Sequence, residues 1–332
     1  MNSERTEETD LKIQYVRVRD GAAVVSCEGA GAFVRLPQLV EGLPVREICA
    51  YAFSSPGAAA EHLPPGAEFF STRTGTAAVP GAEERFLGGA GLKEAMLPPG
   101  IRSVGEYAFY NCTGLSRLGL GGGAARIGNG AFMNCARLKK FLISAAPDSE
   151  TCLPGLLAEI QHEVCVTFQS EGEKSEWIFP EYFEESIENG PARIFEHFIR
   201  GAGYRYRQVF QGDRLDTDRY DRQFSAARNE AEPKTLLRIA LARLRSPFRL
   251  SEVSEKRYLS YLKENAAAAA ELLIGDDDPD GLAFLSAREV ITRENIGAAV
   301  EAAAHAGRAE CLSVLLNERR GRFAPREKTF DL

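Results

Sequence analysis

The amino-acid sequence predicts an α+β multidomain protein, in which a solenoid of stacked short strands and turns precedes a small α+β unit and C-terminal helical repeats. Two observations lead to this fold class. In the first half of the chain, apolar and small residues recur with a 23-residue period, and a fixed period in the twenties is typical of a solenoid. After Pro233 the apolar residues instead follow the period of amphipathic helices. The length of 332 residues also suits two or three domains better than a single core.

The 23-residue step is clearest between residues 97 and 143, where Phe109 and Phe132 lie one step apart. The other pairs at this spacing are Leu97/Leu120, Leu120/Ile143, Val104/Ile127, Ala108/Ala131, Asn111/Asn134, Cys112/Cys135 and Leu115/Leu138. A looser copy keeps the five-residue step from Ile48 to Phe53. Because one repeat is too short to bury its own apolar face, stacking should pile the phenylalanines into one buried column.

Other repeated residues have expected roles in the coils. Gly105 and Gly128 fall where the chain must turn sharply after a short strand. Asn111 and Asn134 are expected to form an inward polar ladder by bonding backbone groups of neighbouring coils. The cysteine after each asparagine is expected to be a small, buried, apolar residue.

These repeats resemble the BspA-type bacterial leucine-rich repeat, whose signature is roughly Leu-x-x-Ile-x-x-x-Ala-Phe-x-x-Cys-x-x-Leu. The resemblance covers about residues 35–145. It implies a leucine-rich repeat solenoid with a small parallel sheet along one side, a bacterial source and a role in contacting other macromolecules. We therefore assign the solenoid to residues 11–146, with an insertion rich in Gly, Ala and Pro at 54–96.

The insertion repeats one short motif of the coils, since Leu63-Pro-Pro-Gly66 echoes Leu97-Pro-Pro-Gly100. This echo predicts a degenerate coil with a mobile tip, and the alternative is a long loop.

A small α+β unit is predicted over residues 147–230, where the 23-residue step stops. Alternating apolar runs bounded by turn residues indicate strands, and Pro191 suits the first turn of a helix. The predicted elements are strands at 164–168, 176–179 and 204–210, and helices at 191–200 and 217–224.

Helical repeats are predicted over residues 231–323, with flexible tails at 1–10 and 324–332. The expected helices are one after Pro233 and others at 252–264, 266–274, 279–287, 293–305 and 308–318. The segment Ala302 to Asn317 is similar to the helix–turn–helix of an ankyrin repeat, with Gly307 closing the first helix. The Thr-Pro-Leu-His start of that family is replaced by Ala298-Ala-Val-Glu301, so the resemblance extends only to helical repeats of ankyrin-like packing.

Composition excludes several classes of protein. The formal charge of −7 and pI near 5.4 argue against a general nucleic-acid binder, which carries a positive footprint. The acidic N-terminus does not resemble a secretory signal, and no stretch is as apolar as a membrane span. Seven cysteines without a close-set framework suggest reduced thiols. We therefore expect a cytoplasmic protein.

An acidic run, Asp276-x-Asp278-x-Asp280-Gly281, matches the start of a calcium-binding EF-hand loop. The twelfth position of such a loop needs a bidentate Glu, and here it is Ala287. The sequence therefore favours a helix cap, with Asp278 as N-cap and a proline at the first helical position.

Two other motifs are weak signals for chemistry. His162 and Cys165 are candidates for a nucleophile–base pair, but residues three apart on a strand point to opposite faces. Gly119-x-Gly121-x-x-Ala124 mimics a dinucleotide fingerprint, but residues of the repeat follow it instead of a helix, so the sequence favours a glycine-rich turn. The four histidines, His62, His162, His197 and His305, form no metal-ligand spacing with the cysteines.

A basic–aromatic run, Tyr204-Arg-Tyr-Arg207, has the interleaving used to stack bases. Residues 193–222 hold seven Arg against five Asp and Glu, so a solvated strand face is favoured over nucleic-acid binding, and an anionic protein partner is equally compatible.

The sequence thus predicts a non-enzymatic scaffold or adaptor for protein–protein interaction, with no catalytic, cofactor-binding or metal-binding residue, no cofactor and no membrane contact. The alternative is a small-ligand binder or enzyme that uses a pocket in the middle unit, lined by Trp177, Tyr204, Tyr206 and several Arg. The sequence identifies neither the partner nor the oligomeric state.

Overall fold

The structure, a computed structural model, describes residues 10–74, 83–123, 126–189 and 194–322. Both predicted tails, apart from residue 10, and the tip of the insertion at 75–82 lie outside these residues. Ala124 and the side chain of His197 also lie outside the described part. The chain divides into two compact units, residues 1–230 and 231–332, and each is described by itself.

The first unit is built mainly from short strands. Its strands are β1 (Leu11–Val18), β2 (Gly21–Gly29), β3 (Phe33–Arg35), β4 (Leu39–Val40), β5 (Leu43–Ile48), β6 (Phe69–Thr74), β7 (Arg85–Phe86), β8 (Glu94–Met96), β9 (Ser103–Val104), β10 (Arg117–Gly121), β11 (Arg126–Ile127), β12 (Lys140–Ser144), β13 (Val164–Ser170), β14 (Glu173–Phe179), β15 (Phe183–Asn189), β16 (Ile194–Arg200), β17 (Phe210–Gln211) and β18 (Arg214–Leu215). Its helices are α1 (Ala58–Glu61), α2 (Leu153–Ala158), α3 (Gly203–Arg207) and α4 (Thr217–Ala227), with one 3₁₀ turn at Gly89–Gly91.

The repeats form a solenoid, as predicted, but it has two sheets where the resemblance implied one small parallel sheet. The first, which we call the repeat sheet, has the order β3-β8-β10-β12-β13-β14, with the first five strands parallel and β14 antiparallel at the edge. Its register places Glu94, Arg117 and Lys140 side by side, one repeat step apart. The second sheet has the order β11-β9-β5-β2-β1-β6 and is parallel from β2 to β11.

A column of phenylalanine rings fills the space between the sheets. The Phe53 and Phe109 ring centroids are 4.7 Å apart, and those of Phe109 and Phe132 are 5.4 Å apart, all nearly parallel. The three side chains are at most 3% exposed. The predicted stacking is therefore confirmed, and it places one large apolar side chain from each coil in a continuous core.

Main-chain hydrogen bonds join each coil to the next. The Phe53 N–H donates to the Ala108 carbonyl at 2.8 Å, and the Phe109 N–H donates to the Ala131 carbonyl at 2.8 Å. The coils approach so closely that a Cβ at Gly105 would lie 2.4 Å from the Ala50 nitrogen. Glycine is therefore required at this step by the close approach of two backbones rather than by a special turn conformation.

The asparagine ladder lies on the outside of the solenoid, so the prediction of an inward ladder is wrong. The Asn134 Nδ2 donates to the Asn111 Oδ1 at 2.8 Å, and both residues are exposed. Their φ angles of 63° and 60° are left-handed, a conformation that asparagine tolerates better than most residues. Because an outward amide can also bond water, this position has no need of a buried partner.

The insertion does not form the predicted degenerate coil. Leu63 to Gly66 lies in a turn after α1, and β6 then pairs antiparallel with β1. Helix α1 places Ala59 against Val16 and Val25, next to the hairpin of β1 and β2. The inserted chain therefore covers the first coil and extends the second sheet, and its last strand, β8, belongs to the repeat sheet.

The repeat sheet continues past residue 146, where the sequence predicted the solenoid to end. Strand β13 pairs parallel with β12, with Lys140 opposite Cys165, so this step is slightly longer than the earlier ones. Helix α2 replaces the strand and phenylalanine turn of the earlier coils and packs against β11, with Gly155 next to Ile127. The repeat pattern stops because the turn changes, while the sheet runs on.

Three of the five elements predicted in the middle segment are confirmed, and two are wrong. Strands β13 and β14 and helix α4 are as predicted. Residues 194–200 form β16, paired with β15, instead of a helix, because β-branched and aromatic residues with a partner strand favour extended structure. Residues 191–193 of that predicted helix lie outside the described part. The strand predicted at 204–210 is replaced by α3 and by β17, which starts at Phe210.

The second unit consists of helices α5 (Pro233–Arg245), α6 (Glu252–Glu264), α7 (Ala266–Gly275), α8 (Pro279–Ala287), α9 (Ile296–His305) and α10 (Ala309–Gly321). All six helices were predicted; α7 ends one residue later than predicted, and the boundaries of α9 and α10 differ by up to three residues. Helix α7 packs against α8 and α9, and α10 packs against α8 and α9. Gly307, with φ of 66°, ends α9 as predicted, and the Arg308 N–H returns to the Ala303 carbonyl.

Candidate functional site

The outer face of the repeat sheet is the clearest candidate surface. Successive side chains of a strand point to opposite faces of the sheet. One row of paired residues that crosses all six strands therefore points into the solenoid, and the rows on either side of it point outward. The inward row is buried and contains Val34, Ala95, Leu118, Phe141, Val166 and Trp177. The two adjacent outward rows are Phe33, Glu94, Arg117, Lys140, Cys165 and Ile178, and Arg35, Met96, Gly119, Leu142, Thr167 and Glu176.

Apolar side chains run across the middle of this outer face. Phe33 is 51% exposed, and Met96 and Leu142 are half-buried. Between the last two, Gly119 has no side chain, and a Cβ there would lie 2.2 Å from the Met96 sulfur. Met96 therefore lies across Gly119, which leaves a low, apolar strip on an otherwise polar face.

Positive side chains surround the apolar strip. Arg35, Arg117 and Lys140 lie on the two outward rows, and Lys174 lies at the next outward position of β14, against two carboxylates, Glu94 and Glu176. The ion pairs among them are long, 3.7 Å between Arg117 and Glu94 and 3.8 Å between Lys174 and Glu176. This face therefore carries an excess of positive charge on a chain whose net charge is −7.

His162 and Cys165 do not form a nucleophile–base pair. The His162 Nε2 lies 2.7 Å from the Leu138 carbonyl oxygen, so this nitrogen carries a proton and donates it. Burial, reinforced by Glu176, raises the pKa of the Cys165 thiol to about 12. A catalytic cysteine needs a lowered pKa, so the environment of Cys165 opposes the role that the spacing suggested.

The basic–aromatic run is divided between core and surface. Tyr206 is fully buried, while Arg205 is half-exposed and pairs with Glu230 at 2.8 Å. Tyr204 is 39% exposed, but no second aromatic ring of the run lies beside it on the surface. Because α3 replaces the predicted strand, these residues cannot present the row of rings that stacked bases require.

Arg207 is a structural residue that the sequence did not reveal. Its guanidinium makes six hydrogen bonds to five main-chain carbonyls, those of Leu157, Ile160, His162, Pro180 and Gly203. The carbon of its guanidinium also lies 4.7 Å from the centroid of the Tyr182 ring. Burial lowers the pKa of Arg207 to about 10, so the group stays charged at neutral pH. One cation thus joins three segments distant in sequence.

The aromatic residues of the middle segment form a core and not a pocket. Trp177, Phe179 and Tyr206 pack edge-on around the Tyr220 ring, at centroid distances of 4.8, 5.7 and 4.8 Å. The Tyr220 hydroxyl donates to the Ile178 carbonyl at 2.6 Å and accepts from the Ile178 N–H at 3.1 Å. It therefore also covers the free edge of β14. This packing does not favour the alternative of a ligand pocket lined by Trp177 and Tyr206.

The acidic run of the second unit caps a helix, as the sequence favoured. Asp278 accepts from the Gly281 N–H at 2.8 Å and pairs with Arg245. Asp276 pairs with Arg238 at 3.7 Å, and Asp277 pairs with Arg308 at 3.4 Å. Arginines therefore neutralise Asp276 and Asp278, two of the three carboxylates that an EF-hand would direct at calcium.

Gly119 and Gly121 lie within β10, and β11 follows them. Ala124, the last residue of the apparent dinucleotide fingerprint, lies outside the described residues. The glycine-rich turn that the sequence favours is therefore confined to the bend at Gly122 and Gly123, after the strand. In the part of the chain that the structure describes, every helix is too short or too polar to cross a bilayer.

Comparison with known proteins supports the repeat region. Residues 82–150 match the family model described as the BspA type leucine rich repeat region (6 copies). A crystal structure of a leucine-rich repeat protein from T. pallidum matches at 23% identity over 40% of this chain and 50% of that one, with a TM-score of 0.24. This chain thus spans about half the length of that protein. No curated protein matches the chain.

The matched residues lie outside the helices of the second unit, so their ankyrin-like packing stays a prediction. The resemblance inferred from the repeat pattern is confirmed for the coils themselves: residues 82–150 are similar to the BspA-type leucine-rich repeat.

Proposed function

We propose that the protein is a non-enzymatic scaffold for protein–protein interaction, whose binding face is the outer side of the repeat sheet. The observation that carries this proposal is the apolar strip of Phe33, Met96 and Leu142 among positive side chains. Leucine-rich repeats generally serve as protein–protein interaction modules, which supports the same function.

The composition of the face suits an interface. Binding surfaces combine an apolar centre, which supplies the free energy of burial, with a polar rim that orients the partner. Phe33 and Met96 are of the residue types enriched at such centres, and Arg117 and Lys140 belong to the rim. Each of these side chains is wholly or partly accessible, so a partner can reach them without unfolding a coil.

The charge of the face indicates an acidic partner surface. Four cationic side chains against two carboxylates produce a local potential opposite in sign to that of the whole chain. Such a patch accelerates encounter with an acidic protein and disfavours association between copies of this acidic chain. We place this interaction in the cytoplasm and with a protein rather than a nucleic acid, in line with the acidic composition.

Charge reversal on the face tests the proposal. The tagged full chain is used for affinity capture from its native host, in parallel with Arg117→Glu and with Arg126→Glu. Both arginines are exposed, and Arg126 lies on the second sheet, so it is a matched control for charge. We expect a captured protein that Arg117→Glu loses and Arg126→Glu retains.

A direct titration must follow the capture, because capture alone does not locate the site. The purified partner should bind the wild-type chain with a Kd that rises about tenfold or more for Arg117→Glu, a change of ~1.4 kcal/mol. Salt should weaken the same binding, since screening acts on a charged rim. If Arg117→Glu and Arg126→Glu bind the partner equally well, the repeat sheet is not the binding face.

A further inference from the structure

The main-chain hydrogen bonds between phenylalanine turns follow one pattern, which does not continue after the last of these turns. The N–H groups of Phe109 and Asn111 donate to the carbonyls of Ala131 and Met133 in the next coil, at 2.8 and 3.1 Å. Phe132 occupies the position of Phe109 one step later. The Tyr107 N–H donates likewise to the Asn129 carbonyl at 3.2 Å, so the phenylalanine turn of Phe109 presents three N–H groups, from alternate residues, toward the following turn.

In the last coil these N–H groups have no acceptor among the described residues. Phe132 and Asn134 are the equivalents of Phe109 and Asn111, and no carbonyl or side-chain oxygen of the described chain accepts from their N–H groups. The reason is the change of the next coil, in which α2 takes the place of a phenylalanine turn. The carbonyls of α2 accept within the helix or, at its C-terminal end, from Arg207, and none of them accepts from these two N–H groups.

A groove lies at the position of the missing turn. It has a volume of about 460 Å³ and is open to solvent. One wall is the last turn and the other is the end of α2 with the loop that follows; the lining residues are Phe132, Met133, Asn134, Cys135 and Ala136, and Ala158, Glu159, Ile160, Gln161 and His162. The two free N–H groups therefore belong to residues that line an accessible groove.

We propose that this groove binds an extended peptide segment of another protein, which takes the place of the missing turn. The contact would continue the interface that already joins the coils, so its chemistry is known from the preceding steps. Two peptide carbonyls, from alternate residues, would accept from the N–H groups of Phe132 and Asn134. Recognition by main-chain hydrogen bonds of this kind is how proteins add a peptide to a sheet edge.

The lining residues define the side chains of the peptide. Phe132 is only 3% exposed, so the residue between the two carbonyls must be small. Asn134 already donates its Nδ2 to Asn111, which leaves its Oδ1 for an amide, ammonium or guanidinium of the peptide. Glu159 supplies the charged group of the groove and also favours a cationic residue.

A second copy of this chain, stacked head to tail, does not fit the groove. Its first turn would have to meet the last turn of its neighbour. The Tyr51 ring of that first turn is covered by His62, at 4.1 Å, on the side away from Tyr107, at 5.2 Å. Because His62 follows α1 of the insertion, the inserted chain closes this end of the stack, and a separate peptide must fill the other.

A peptide copied from the coil itself tests the proposal. The probe has the sequence of residues 129–138, with alanine in place of the phenylalanine and serine in place of the cysteine. It is titrated into the ¹⁵N-labelled full chain, and the amide resonances of Phe132 and Asn134 are followed by NMR. We expect saturable shifts at these two amides, with a Kd of about 0.01–1 mM.

Bulky substitutions separate the groove from the rest of the surface. Ala136→Trp fills the groove from one wall and Ala158→Trp from the other, and both alanines are exposed, so the fold should tolerate either change. Thr113→Trp is the matched control, because exposed Thr113 occupies the position of Ala136 one coil earlier. Either groove variant should weaken peptide binding about tenfold or more, and the control should not.

Three results would overturn the proposal. The first is the absence of saturable shifts at Phe132 and Asn134. The second is binding that both groove variants leave intact. The third concerns the protein alone: if these two amides exchange with solvent as slowly as those of Phe109 and Asn111, a segment of the chain itself already fills the groove.

Discussion

The two units of this protein both contain repeats, but only one of them shows its repeat clearly in the sequence. In the first unit, hydrogen bonds cross from each coil to the next, as from Phe109 to Ala131. In the second unit, the start of α7 is as far from the start of α9 in sequence as the start of α8 is from that of α10. The bonds between main-chain groups of these helices stay within each helix and its ends, and the contacts from one helix pair to the next involve side chains.

This difference explains why the repeat of the first unit is clear in the sequence and the repeat of the second unit is not. A main-chain bond between coils fixes the register, so a position where two backbones approach closely must keep a small residue, as Gly105 and Gly128 do. Helices pack through side chains that can exchange volume with their neighbours. The helical repeat keeps little more than Leu285 and Leu315 in the core and a left-handed residue after the first helix, Asp277 or Gly307.

Removal of one ring from the column should have the largest effect and should stay within the first unit. Phe109 lies between two rings and is fully buried, so Phe109→Ala should cost about 3–5 kcal/mol through the cavity that it leaves. Hydrogen exchange of the full chain, followed by mass spectrometry, would report the loss of protection in residues 97–143. Phe132→Ala, at the end of the column, should also destabilise the coils. Wild-type protection of the coils in Phe109→Ala would contradict the stacking.

Replacement of the buried cation should have the next largest effect. Arg207→Lys keeps the charge but loses the planar fork that bonds five carbonyls, so it should cost about 2–3 kcal/mol. Chemical denaturation would measure this cost. A variant as stable as the wild type would show that the carbonyls bond water equally well.

Loss of the helix cap should have a moderate effect in the second unit. Asp278→Ala removes the acceptor of the Gly281 N–H and the partner of Arg245, and should cost about 1 kcal/mol. Hydrogen exchange should show the loss in residues 266–315 and not in the coils. Asp280→Ala is a control, because the Asp280 side chain has no hydrogen bond or ion pair among the described contacts. If calcium raised the Tm of the wild type and not of Asp278→Ala, the cap would have to be reinterpreted as a metal site.

Removal of the other arginine of the basic–aromatic run should have the smallest effect. The Arg205 side chain is 52% exposed and its pair with Glu230 is on the surface, so Arg205→Ala should change stability by less than about 0.5 kcal/mol. Thermal melts beside those of Arg207→Lys would compare two arginines that are close neighbours in sequence. A large loss for Arg205→Ala would show that the surface pair has a role in the fold.

The sequence patterns correctly predicted the features that local interactions determine. The Phe109–Phe132 stack, the cap at Asp278 and the six helices of the second unit each depend on residues close in sequence or one repeat apart. Residues 194–200 were predicted wrongly because their apolar pattern is compatible with a helix or a strand, and only pairing with β15 decides. The burial of Arg207 could not be predicted, since its acceptors come from three separate segments.

The candidate face was within reach of the sequence, although it was not identified there. Glu94, Arg117 and Lys140 follow one another at the repeat step, so the repeat alone places them in one outward row. The groove beside Phe132 could not be predicted from the sequence. Nothing in the sequence of α2 shows that this helix takes the place of a phenylalanine turn but supplies no carbonyl acceptors to the turn before it.

The reactivity of the cysteines in the coils would report whether the solenoid is intact. The thiols of Cys112 and Cys135 donate to the carbonyls of Phe53 and Phe109 in the preceding coil, each at 3.1 Å. Burial raises the pKa of both to about 12, so only about one thiol in ten thousand is ionised at pH 8. Alkylating reagents attack thiolates, and these two sulfurs therefore stay unmodified until neighbouring coils separate. The rate at which these two thiols are labelled would therefore measure how often neighbouring coils separate.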